Sequence, residues 1–189
     1  MKTYLTIFCV VALAWGMASC GDSSDSTSVD AAGKHNEKLL ESTGKDEKAG
    51  WFVAEAASAG MLEAELGRLA SSKAQDARVK QYGQLMLDHH TQGNKQLKQI
   101  ADLKNLITPT SLGEDHQEIY NELMSQSGAA FDKAYMQSMV KSHKETIDRF
   151  EQMANEGTDL ELKNFAAKTL PMLRAHLEQA EQIEDALEA

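Results

Sequence analysis

Four side chains able to hold a metal ion stand where a helical pattern asks for core residues: Glu63, His89, His143 and His176. The stretch 79–103 shows the pattern best. Val79, Tyr82, Met86, Gly93, Leu97 and Ile100 recur at helical spacing, and His89 fills the slot between Met86 and Gly93. Glu63 interrupts a stripe of Phe52, Ala56, Ala59, Leu66 and Ala70 in the same way. His143 falls between Met136/Met139 and Ile147/Phe150, and His176 between Leu173 and Ala180. One carboxylate and three imidazoles suit one transition metal ion: zinc, iron, copper or manganese.

The neighbours of these residues refine the expectation. Asp88 adjoins His89 and is expected to orient a histidine from behind. Met86, Met139 and Met172 precede the three histidines by a helical turn, so each sulfur shares a face with its imidazole. Thioether donors would favour copper, although methionine at this spacing also serves as core filler. His35, His90 and Glu65 are expected in solvent. The alternative reading has no metal. A buried Glu/His network can satisfy its own hydrogen bonds and fix the register of the helices.

Four long helices must position these groups. The periodicity predicts them at 51–71, 76–105, 129–155 and from Thr158 to about 187, with a short extra helix at 114–126. The connection 71–74 is so short that the first two helices must form an antiparallel hairpin. Glu156-Gly157-Thr158 makes a second tight turn, with Gly157 expected as C-cap and Thr158 as N-cap. Pro171 lies inside the last helix and is expected to kink it before His176. The predicted fold is all-α: an antiparallel four-helix bundle of two hairpins joined by a long crossover. Counting ~1.5 Å per residue from the turns brings the four candidate ligands to compatible heights.

Composition agrees. Two prolines and 6% aromatic residues in 189 favour helix throughout, and a net charge of -10 argues against nucleic acid as a partner. Lys2 and the apolar run from Leu5 to Trp15 form a signal segment. Gly16-Met17-Ala18-Ser19-Cys20 follows, with small residues directly before a cysteine, as in a bacterial lipobox, although Met17 stands where leucine is usual. The expected organisation is a lipoprotein signal peptide at 1–19, a lipidated Cys20 with a flexible linker to residue 50, and the bundle at 51–189. The mature chain would meet the membrane through its N-terminal lipid in the bacterial cell envelope. Cys9 lies in the removed part, so packing alone must hold the fold. A homodimer is a reasonable assembly for such a bundle.

The segments FVAEAASAGMLEAELGRLA, VKQYGQLMLDHH, FDKAYMQSMVKSHKETIDRFE and LKNFAAKTLPMLRAHLEQA resemble the bacterial family named domain of unknown function 4142. Asp88-His89, Phe131-Asp132 with Tyr135, the histidine of the third helix, and Leu170-Pro171 before the last histidine carry the likeness. The resemblance implies a ferritin-like bundle, often exported, without an assigned activity. It marks Glu63, Asp88, His89, His143 and His176 as motif positions. Di-iron bundles carry Glu-x-x-His on two helices. Here Met86, Val140 and Leu173 stand three residues before the inward histidines, so a single-ion site fits better. The expected role is metal handling or envelope stress. The alternative is a metal-free interaction or scaffold module. Redox catalysis ranks last, since four protein ligands leave little room for an open position.

Overall fold

The computed structural model of the chain describes residues 28–188. The signal segment and Cys20 lie outside the described residues. Six helices are present: α1 (Val29–Ser42), α2 (Lys48–Lys73), α3 (Ala77–Leu103), α4 (Glu114–Ser125), α5 (Gly128–Glu156) and α6 (Leu160–Glu188). The described residues contain no strand, and the fold is all-α.

The long helices fall within a few residues of their predicted bounds because strong punctuation ends them. The side chain of Asp76 accepts from the Arg78 amide and starts α3. Asn105, with φ 59°, stops it, in a backbone region that asparagine tolerates. The start of α6 differs from expectation. Asp159, not Thr158, caps it, accepting from the amides of Glu161 and Leu162 at 3.1 Å each. Gly157 has φ -58° and makes no use of left-handed freedom.

The middle of the expected linker is also structured. Val29–Ser42 folds as α1, with Ala32, Gly33, Asn36 and Leu40 buried against α2 and the loop after α3. Asn36 explains why so polar a segment docks. Its Nδ2 donates to the Gly50 and Ile107 carbonyls (3.2 and 2.9 Å), and its Oδ1 accepts from the Ile107 amide (2.8 Å). Trp51 packs over Gly33, where a Cβ would overlap the ring.

Helices α2 and α3 approach closely through Gly67 and Gly83. A Cβ on Gly67 would sit 2.5 Å from the Gly83 carbonyl oxygen, so only glycine fits this crossing. Helix α5 pairs with α6, and α2–α5 and α3–α6 contacts join the two pairs. The turn between α2 and α3 is held from outside. The buried carboxylate of Asp132 on α5 accepts from the Gln75 amide (3.0 and 3.1 Å) and the Asp76 amide (2.7 Å).

The core has two apolar halves. One contains Phe52, Leu97, Phe150, Phe165 and Leu173. The other contains Leu66, Tyr82, Met86, Tyr135 and Met139. Along every long helix the buried Glu or His falls close to the passage from one half to the other. The bundle therefore carries a polar layer across its middle.

Candidate metal centre

The layer is formed by Glu63 from α2, His90 from α3, His143 from α5 and His176 from α6, all at most 6% exposed. The imidazole centroids of the three histidines are 5.5, 5.4 and 5.4 Å apart, a nearly equilateral triangle. One nitrogen from each ring lies within 4.8 Å of the others.

Hydrogen bonds fix which nitrogens carry protons. His143 Nδ1 lies 2.9 Å from the Met139 carbonyl, which can only accept, so Nδ1 carries the proton and Nε2 is left as a lone pair. That Nε2 lies 3.3 Å from His176 Nδ1. His176 Nε2 in turn lies 2.8 Å from His89 Nδ1.

Glu63 sits behind two of the rings. Its Oε1 accepts from the Ser142 hydroxyl at 2.9 Å and lies 3.3 Å from His143 Nδ1. Its Oε2 lies 3.0 Å from His90 Nδ1, but off the N–H direction, so this oxygen makes no directed hydrogen bond. The adjacent carboxylate favours the proton of His90 on Nδ1. His90 Nε2 is then bare, buried and without a partner.

Electrostatics divide the layer. Burial pushes the Glu63 pKa up, but the imidazoles of His90 and His143 and the Ser142 hydroxyl outweigh it, holding the carboxyl well below its usual range. Burial lowers the His143 pKa against the pull of Glu63. Burial, together with neighbouring His90, His143 and His89, lowers that of His176 to about 3. The layer therefore sets an ionised Glu63 carboxylate beside the neutral imidazoles of His143 and His176. Neutral imidazoles are the form that binds metals.

Three of the four expected ligands meet, and the fourth is replaced. His90, expected in solvent, is buried in the layer. His89 is half-buried at its rim, where it touches only His176 of the triad. Both lie about one turn beyond Met86, and a 3.6-residue period does not separate steps of three and four. Asn94 decides the register: its side chain donates to the Ala57 carbonyl (3.1 Å), continuing the row from His90 to Leu97. Asp88 does not orient a histidine. It is exposed and accepts from Gln84 at 2.9 Å. Met86 and Met139 are core residues of one apolar half, and Met139 supports His143 through its carbonyl rather than its sulfur. Met172 is half-buried beside a small cavity that also touches His89 and His90. Sequence reasoning missed Ser142 altogether, because a serine beside a histidine carries no pattern.

A helical bundle with a Glu/His layer through its centre is the class that fold and site define. A family model described as a domain of unknown function (DUF4142) matches residues 35–183. The chain belongs to this family. The family match begins inside α1, in keeping with a folded α1. No curated protein matches. A crystal structure of a DUF305 protein of Streptomyces coelicolor, assigned as secreted, is similar in fold, with a TM-score of 0.63 at 12% identity, covering 86% of this chain and 95% of that one.

Proposed function

We propose that this protein binds one transition metal ion in the middle of its bundle through His90, His143 and His176, for metal handling in the cell envelope. The Met139 carbonyl orients His143 and His89 orients His176, the support that metal-bound imidazoles usually receive through their second nitrogen, while the Glu63 carboxylate lies beside the Nδ1 atoms of His90 and His143. The four long helices take the ferritin-like antiparallel arrangement on this reading. A lipidated Cys20 tethers the domain to the membrane, and a homodimer is its expected assembly. No helix among the described residues is long and apolar enough to cross a membrane.

One observation carries the proposal: His90 Nε2 is buried without a partner beside two further imidazoles. A buried polar atom left unpaired costs about 1–3 kcal/mol, and an ion at the triangle's centre would remove that cost. The dimensions fit. A metal–nitrogen bond is about 2.0–2.1 Å, which places three imidazole centroids about 5–5.5 Å apart round one ion.

Elemental analysis and calorimetric titration with zinc, copper, iron and manganese test this, on the full chain purified without tag or chelator. One ion per chain is expected. Binding is lost in His90→Ala, His143→Ala and His176→Ala. It weakens about 10–100-fold in His89→Ala and Glu63→Gln. His35→Ala, on the exposed face of α1, leaves it unchanged. A chain that takes up none of the four ions instead carries a metal-free polar layer, and its role is as an envelope interaction or scaffold module.

A further inference from the structure

A cavity of about 30 Å³ lies among the long helices, against Glu63, His89 and His90. That volume seats one or two water-sized molecules. Its wall mixes polar Asn94 and Thr169 with apolar Met172 and aromatic rings. Glu63 and His90, which line it, are 0% and 6% exposed and each carries a buried polar atom without a hydrogen bond.

Gly93 is the second observation. Glycine inside a helix costs about 1 kcal/mol relative to alanine. At Gly60, Gly67 and Gly83 a close neighbour explains it, since a Cβ would collide with Asn94 or with backbone. At Gly93 a Cβ would meet nothing within 4 Å, and Gly93 belongs to the cavity wall. It lies three and four residues after His90 and His89, hence over the same face of α3. A larger side chain there would stand at the cavity wall.

We infer that this cavity seats one small exogenous ligand of one or two heavy atoms, which reaches the histidine centre past Gly93. The inference rests on the metal reading, because three histidines leave a fourth coordination position for such a ligand to complete.

Cobalt(II) is the probe, since its visible spectrum reports the number and kind of its ligands. The cobalt-loaded full chain is treated with cyanide at neutral pH, where the species in solution is uncharged hydrogen cyanide, which gives its proton to solvent on binding the metal. The wild-type spectrum is expected to shift. Gly93→Phe and the smaller Gly93→Leu should keep the cobalt spectrum but respond to cyanide at least tenfold more slowly, and Gly93→Ala should stay near wild type. Equal rates in all variants would overturn the inferred route. A cobalt spectrum unmoved by cyanide would overturn the ligand seat while leaving the metal reading standing. Absence of any cobalt spectrum would overturn both.

Discussion

Glu63, His143 and His176 of the central layer bear on stability as well as chemistry. His176 has a folded pKa of about 3 against an ordinary 6.5. The unfolded chain therefore binds a proton below about 6.5 that the folded chain refuses, and stability is lost as pH falls from there towards 3. His143 is shifted in the same direction. Glu63, held below the carboxylate range, adds a loss at still lower pH as the unfolded state protonates first. The urea midpoint of the metal-free protein should be flat above about pH 7.5, decline below about 6.5 and keep declining through pH 3. A midpoint constant from pH 7 to 4 would contradict this assignment. At this scale Glu63, His143 and His176 were legible in the sequence because each interrupts an otherwise apolar stripe. His90 was not, because two adjacent histidines share one turn and only the Asn94–Ala57 contact settles which of them faces inward.

The helices add constraints that act through backbone. Gly67→Ala would force a methyl against the Gly83 carbonyl, so we expect a loss of about 2 kcal/mol or more. Gly93→Ala, in open space, should instead gain about 0.5–1 kcal/mol. Urea denaturation of the two variants side by side checks both signs. Asn36→Ala should cost about 2–3 kcal/mol, since it strips partners from the Gly50 and Ile107 carbonyls and the Ile107 amide. A thermal melt reads that directly. The long helices were legible because their stripes are long and their ends are punctuated. Helix α1 was not. Its stability lies in Asn36 and Gly33 meeting α2 and the loop after α3, and composition sees only a polar stretch there.

Across the whole molecule, Asp132 joins the two helix pairs. We expect Asp132→Ala to lower stability by about 2–3 kcal/mol while leaving helix content by circular dichroism nearly unchanged. The motif Phe131-Asp132 was visible in the sequence, but its meaning was not, because its partners are 56 and 57 residues away. That separation has a kinetic consequence. The amides of Gln75 and Asp76 reach a lasting acceptor only once α5 has docked, so the turn between α2 and α3 does not close fully by itself. These two amides should therefore exchange their hydrogens with solvent only when the bundle opens as one cooperative unit.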